Sequence, residues 1–323
     1  KALHSMFTGI KILKIHDGLV IYKLEERNFD KIINIPFFNN TFLLVHSYKT
    51  NVDPLNNSLI QFQKERLNSK DINAVLMWKG ARKFRIVTSL ENKLTAVRKD
   101  LLSAAEKKLL QVFKLKVDRV KPEIEFWFLT RSEGITLLGL RLTKHKTTEK
   151  SLMKGQLRLE LASLLCWISE PQKNDVFWDP FCGYGSIPLA RIKMGAFRKV
   201  IGTDIDRSKI SNIKSNQDNK KNIDIFYHDF FSTETVIKVN KIVTDPPWGE
   251  FAENNQNMEH LYHMIFKNAL IHLEDNGVMV LLVSRIIDIE KIILYFADRL
   301  EIVERYFVLV SGKKASVYKF VKR

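Results

Sequence analysis

The chain has 323 residues, enough for about two domains with cores of their own at roughly 150 residues each. Its 45% hydrophobic and 27% charged residues describe a folded globular protein rather than a disordered one, and no apolar run approaches the roughly 18 residues that a membrane span needs. The net charge of +16 is uneven: residues 1–155 hold 29 Lys and Arg against 15 Asp and Glu, whereas the remainder holds 23 against 21. A basic half joined to a nearly neutral half implies that one part grips a polyanion while the other does chemistry.

The opening KALHSMFTGIKILK has neither the continuous apolar core nor the small-residue cleavage site of a signal peptide. It begins with Lys rather than Met, so a natural N-terminus upstream is expected. Residues 1–76 mix strand-like runs (LVIYKL, TFLLVHSY) with Asn-rich connections and read as an α+β extension. In residues 77–148 a strand at Phe84–Val87 leads to a helix near Lys93–Phe113 with a stripe of Leu94, Val97, Leu101, Ala104 and Leu109. EIEFWFLT and ITLLGLRLT, joined by RSEG, read as a hairpin, and its alternating Phe126, Trp127 and Phe128 read as core. The polar, basic connector KHKTTEKSLMKGQ is the expected domain boundary.

From residue 149 to 323 strands and helices alternate: LRLELASLLCWI, DVFWD, SIPLARIKM, KVIGTD, RSKISNIKSNQ, IDIFY, a short helix, KIVTD, MEHLYHMIFKNALIHL and GVMVLLVS. A helix near Glu290–Arg299 and the pair IVERYFVLV and ASVYKFV, bent at Ser311–Gly312, close the chain. Repeated βα units imply a Rossmann-like parallel sheet with helices on both faces and a terminal antiparallel hairpin.

In such sheets ligands sit at the carboxyl ends of the strands. The first turn, DPFCGYGS (Asp179–Ser186), has glycines at 183 and 185 that let backbone approach a ligand at a helix N-terminus. Pro188 breaks the GxGxxG pattern, and Asp179 would repel a diphosphate but attract an ammonium. This argues against a nicotinamide dinucleotide and for a cofactor bearing an amino acid. Asp204 in GTDID ends the second strand, where an acid suits a ribose hydroxyl pair. Asp229 in YHDFF follows the third, beside aromatic residues suited to an adenine. Together they describe a pocket for S-adenosylmethionine, with Asp179, Phe181, Gly183, Gly185, Asp204, Ile205, Asp229 and Phe230 as expected contacts.

The fourth turn is DPPWG. Two consecutive prolines forbid both a continuing strand and an immediate helix. They leave a stiff bend carrying Asp245, Pro246, Pro247 and Trp248. A carboxylate and a proline carbonyl can accept hydrogen bonds from an exocyclic base amine and favour a pyramidal nitrogen, while the indole offers a stacking face. Cys182 has no His or Lys neighbour to activate it and reads as packing. His260 and His263, beside Glu259, lack a third ligand and read as a solvated face, so no metal is expected. The two cysteines, Cys166 and Cys182, are too sparse for a disulfide framework and fit a cytoplasmic protein.

FWDPFCGYGSI, IGTDID, YHDFF and TDPPWG, in this order, resemble the class I methyltransferase fold in its amino-methylating branch. The preceding FRIV, GLRLTK and KGQLRLELASLL resemble THUMP-domain RNA methyltransferases related to the tRNA guanine-N2 enzymes. The resemblance covers roughly residues 77–323. It implies an α+β THUMP-like unit that holds structured RNA, most readily tRNA or rRNA. It also implies that Gln156, Leu157 and Arg158 help wall the cofactor pocket. Two departures stand out: Trp248 replaces the family's usual Tyr, which brings adenine-N6 methylation of RNA or DNA in as the alternative, and Tyr184 sits where a small residue is commoner. A catalytically silent RNA-binding protein and a nicotinamide-dependent oxidoreductase are the readings of other classes.

Overall fold

The structure is a computed structural model and describes every residue except 1, 17, 26–28, 51, 144–151, 154, 215–221, 233–235 and 250–254. The chain divides into two compact units, Lys11–Thr147 and Thr148–Arg323, the latter together with Lys1–Ile10. The first ten residues thus belong with the C-terminal unit, where Leu3, Phe7 and Ile10 are buried. Most of the connector expected at 144–156 lies outside the described residues.

Within the N-terminal unit no boundary falls near residue 76. The strand Phe42–Lys49 pairs antiparallel with Ile135–Arg141, so a division there would cut through one six-stranded sheet. Ile124–Thr130 forms the expected hairpin with Ile135–Arg141 and joins that pair to the parallel strand Lys83–Leu90. Phe126 and Phe128 point into the core with no exposure, as alternation requires, while Trp127 faces the other way and donates to Glu125 Oε2 at 2.9 Å. The helix expected from Lys93 starts at Lys99 instead. Glu91 and Asn92, both at positive φ, close a tight turn that pairs Lys93–Leu94 with Ser89–Leu90.

Elements of the C-terminal unit are numbered from its first helix and first strand. They run α1 (Leu159–Ile168), β1 (Val176–Asp179), α2 (Ser186–Lys193), β2 (Lys199–Asp204), α3 (Arg207–Lys214), β3 (Ile223–Tyr227) and β4 (Val239–Thr244). There follow α4 (Asn255–His272), β5 (Leu273–Ser284), α5 (Ile289–Ile293), β6 (Leu300–Val310) and β7 (Lys313–Lys322). One seven-stranded sheet has the order β3-β2-β1-β4-β5-β7-β6, with β7 antiparallel to its neighbours. The short helix expected between β3 and β4 is a turn at Phe230–Phe231, and 233–235 lie outside the described residues.

The side-chain period of two sends alternate residues of the central strands to opposite covered faces. Along β5, Val278, Val280 and Leu282 pack with α1 and α2 residues such as Leu165 and Ala190. The intervening Met279, Leu281 and Val283 pack with Tyr262, Ile265 and Phe266 of α4. A strand covered on both faces has no solvent side on which to place a polar residue. Among the described residues no helix is long and apolar enough to cross a membrane. Because Leu282 is fully buried, Leu282→Ala is expected to cost about 2–5 kcal/mol of stability. Urea unfolding checks this, and a loss near zero would contradict the two-faced core.

Candidate active site at the strand tips

The sheet order sets the site. Strands β3, β2, β1 and β4 are adjacent and parallel, so the residues that end them share one edge. Helical connections leave in opposite directions from β1 and β4, which opens a crevice between them.

Asp179 closes β1 and is 1% exposed. Its Oδ1 accepts from the Thr244 hydroxyl at 2.7 Å and from the Phe181 N–H at 3.2 Å. Burial pushes its carboxyl up to about 8, against those two hydrogen bonds, and the charges of Asp245 and Asp204 push the same way. Asp204 and Asp245 are therefore both close enough to act on Asp179 through a poorly solvated space. Asp204 Oδ2 accepts from the Gly183 N–H at 2.8 Å and Oδ1 from the Asp206 N–H at 2.8 Å, so the second strand tip holds the glycine turn of the first. Gly185 has φ +81, and a Cβ there would press on Ile213 at 3.1 Å. Glycine is required by both backbone and space.

Asp229 Oδ1 accepts from the Phe231 N–H at 3.0 Å. Phe230, expected to offer its face to a cofactor ring, is instead 2% exposed and packs edge-on against Trp178 and Phe181. The core claims that ring because the turn after β3 points it inward, under the sheet. Half-buried Phe181 and Phe231 stand nearer the surface. Ile205 projects into solvent at 64% exposure. Leu157 is buried, and its carbonyl accepts from the Ser186 hydroxyl at 2.8 Å, which sets the segment beside the first turn. Gln156 Oε1 folds back to accept from the Met153 N–H at 3.1 Å, and Arg158 is the residue that precedes α1. Cys182 and Cys166 are free and buried, with thiols pushed up by burial.

The DPPW bend is braced from several sides. Trp248 Nε1 donates to Asp245 Oδ1 at 2.8 Å. The Tyr262 hydroxyl donates to the Pro247 carbonyl at 3.2 Å. Gly249, at φ +73, lies so close to Met258 that a Cβ would meet its sulfur at 2.4 Å. Burial raises the Asp245 carboxyl to about 7, and the indole hydrogen bond partly opposes the rise. Burial and the Asp245 charge also push the Tyr262 phenol up. The indole thus orients the carboxylate, a use of Trp248 beyond the expected stacking face.

Sequence reasoning missed Thr244, Tyr262 and Met258. Thr244 had a signal, since a hydroxyl directly before DPPW can bridge two strand tips. Tyr262 and Met258 had none, being apolar-stripe positions of a long helix. His263 is not on a solvated face: it packs on the rings of Tyr295 and Phe296, at 5.6 and 4.8 Å between centroids.

The residues present fit a cationic nucleoside. A positive charge placed beside Asp179 would favour its ionised form against burial and the charges of Asp245 and Asp204, and the glycine turn leaves room for backbone approach. Sheet order and acid-tipped turns define a class I methyltransferase domain, the class whose cofactor is S-adenosylmethionine. The chain belongs to the family described as UPF0020, RMKL-like methyltransferase domain, whose model matches residues 147–315.

A tRNA (guanine(10)-N2)-dimethyltransferase of Methanothermobacter thermautotrophicus is 27% identical over 172 residues, covering 52% of this chain and 50% of that protein. The chain thus spans about half the length of that relative. A protein of Methanothermococcus thermolithotrophicus, named "Probable tRNA (guanine(10)-N2)-dimethyltransferase", is 32% identical over 170 residues, covering 50% of this chain and 98% of that one. TrmN from Thermus thermophilus superposes with a TM-score of 0.71 at 17% identity over 99% of this chain and 94% of its own, a likeness that speaks for the fold alone.

A carboxyl whose folded pKa lies above its unfolded value, ordinarily near 3.9, binds more protons when native between the two. Its stabilising contribution is full below the unfolded value and is lost as pH rises through about 8 for Asp179. Asp179→Asn keeps an oxygen for both hydrogen bonds and removes the titration. Its melting temperature relative to the parent should rise between about pH 5 and about pH 8. A difference independent of pH would contradict the assigned burial.

Proposed function

We propose that the chain is an S-adenosylmethionine-dependent RNA methyltransferase that modifies an exocyclic base amine, guanine N2 of tRNA above all, in the cytoplasm. The observation that carries the reading is the braced bend with one acceptor left on each group. Asp245 Oδ1 is taken by Trp248 and the Pro247 carbonyl by Tyr262, whereas no donor to Asp245 Oδ2 or to the Pro246 carbonyl is found among the described residues. Two acceptors at the end of β4 suit the two hydrogens of an amine. The names of the curated relatives support guanine N2.

S-adenosylmethionine supplies an electrophilic methyl group on a positively charged sulfur. Asp179, Asp204 and Asp229 hold the cofactor at adjoining tips, with Asp179 suited to its ammonium. Gly183 and Gly185 allow close approach, Phe181 and Ile205 shape the neighbouring wall, and Gln156, Leu157 and Arg158 bound the far side. Asp245 and the Pro246 carbonyl pin the amine so that its lone pair turns out of the ring plane. Ionised Asp245 then receives the proton that becomes acidic once nitrogen is alkylated. Residues 11–147 act as the THUMP-like unit that holds the RNA, a role supported by the basic excess of the N-terminal half.

The test is methylation of unmodified tRNA transcripts with methyl-labelled cofactor, followed by mass spectrometry of the nucleosides. N2-methylated guanosine is expected; N6-methyladenosine would favour the alternative target, and no labelled product would defeat the reading. Asp245→Ala should lower the rate at least about 100-fold while leaving tRNA binding nearly intact. Because ionised Asp245 is the acceptor, kcat/KM should rise with pH through about 7. Trp248→Phe removes a hydrogen bond that favours the carboxylate, so the midpoint should move up. A midpoint that stays put or falls would remove the indole from this role.

A further inference from the structure

One surface of the C-terminal unit is unaccounted for by the methyl-transfer site. Phe307 on β6 is 60% exposed, and the guanidinium carbons of both Arg285 and Arg305 lie 4.5 Å from its ring centroid. Arg305 has a carboxylate partner in Glu290. Arg285, which follows β5, pairs with no carboxylate among the described residues. Exposed Lys313 and Lys314 form the adjoining hairpin tip, and the Arg285 N–H donates to the Lys314 carbonyl at 3.1 Å. A shallow cavity of about 250 Å³ opens beside the two arginines, with Ser284, Ser316 and Tyr318 in its wall.

The sheet register locates this patch relative to the bend. Phe307 stands opposite Ser316, Ser316 opposite Val283, and Leu281 opposite Thr244. Phe307 is therefore level with a position just past the end of β4, on the edge that carries Asp245. It lies three strands across, about 14 Å at roughly 4.8 Å per strand.

We infer that Arg285, Arg305 and Phe307 form a backbone clamp that binds the RNA strand flanking the target nucleotide. Two like charges held over one ring repel, and the ring quadrupole offsets that only in part. An anion bound at Arg285 offsets that repulsion and supplies Arg285 with a partner such as Arg305 has in Glu290. A phosphodiester presents such an anion, and a guanidinium fork matches its geometry. Asp288 and Glu290 line the α5 side, and Asp288 is already the cap of that helix, accepting from the Lys291 N–H at 3.1 Å. The free side of the clamp therefore faces Arg285 and the hairpin lysines. The inference rests on the reading of the substrate as RNA and adds where the strand is held.

The experiment compares the full chain with Arg285→Ala, Arg285→Lys and Phe307→Ala, using unmodified tRNA in filter binding at several salt concentrations and cofactor binding by calorimetry. Arg285→Ala should weaken tRNA binding about fivefold or more and lower the slope of log affinity against log salt by about one. Phe307→Ala should weaken binding several-fold because the guanidinium groups lose their platform. Arg285→Lys should retain the slope and lose part of the affinity. Cofactor affinity and melting temperature should hold in all three, since both positions are exposed. Unchanged tRNA affinity and slope in both Ala variants, with a parent that binds tRNA, would overturn the clamp alone. A parent that binds cofactor but no tRNA would overturn the clamp together with the RNA reading.

Discussion

Burial of acidic side chains at adjoining strand tips is the constraint on which the C-terminal unit's site depends. Asp179, Asp204 and Asp245 end adjacent parallel strands, and the first two are nearly sealed from solvent. Each hydrogen bond they accept, from Thr244, Phe181, Gly183, Asp206 or Trp248, lowers the cost of that confinement without cancelling it. The fold accepts a local loss because the sheet beneath is packed on both faces and can absorb it. What the cluster gains is a strong preference for positive charge at one place. This is the sense in which destabilising arrangements gather at functional sites.

Much of this edge was legible because strand ends in α/β proteins are easy to find. An apolar, β-branched run stops, an acid or glycine follows, and a helical stripe begins, so IGTDID and KIVTDPPWG announce their own tips. Which neighbour of each acid faces the crevice was not legible. Phe230 and Phe231 are adjacent and chemically identical, and only the path of the turn sends the first into the core. Thr244 and Tyr262 escaped for a related reason: a hydroxyl inside a regular element looks the same whether it meets a strand tip or solvent. The N-terminal unit was read least well. Its sheet joins residues 42–49 to 135–141, a pairing across some ninety positions that leaves no trace in composition. The early start assigned to its long helix came from an apolar stripe that ran on through a hairpin turn, where Glu91 adopts a positive φ its residue type does not advertise.

The two halves divide charge unevenly, but the division is not absolute. The C-terminal portion is nearly neutral in total, yet its cations are distributed to matter. Arg285, Lys313 and Lys314 cluster at the outer end of the edge that carries the carboxylates. On the proposed reading, a cofactor cation is attracted to one end of that edge and a polyanion to the other. Separation by about three strands keeps the two fields distinct at physiological ionic strength, where screening acts over roughly 8 Å.

If the bend after β4 holds the target amine as proposed, rigidity matters more than basicity there. An exocyclic amine has its lone pair delocalised into the ring, so a strong base placed nearby would have little to abstract before the methyl group moves. Acceptors that hold their positions accomplish more, because the transition state then needs no reorganisation. Two prolines fix the backbone, Tyr262 occupies one of the two proline carbonyls, and the glycine at 249 lets Met258 close over the loop. Trp248 ties the carboxylate to the same frame through its ring nitrogen. A phenol at that position would have its donor on a differently placed atom, so an indole holds the acid in its own way. Under the proposed function, the choice between guanine and adenine would turn on how an indole and a carboxylate, fixed to each other, frame the base edge presented to them.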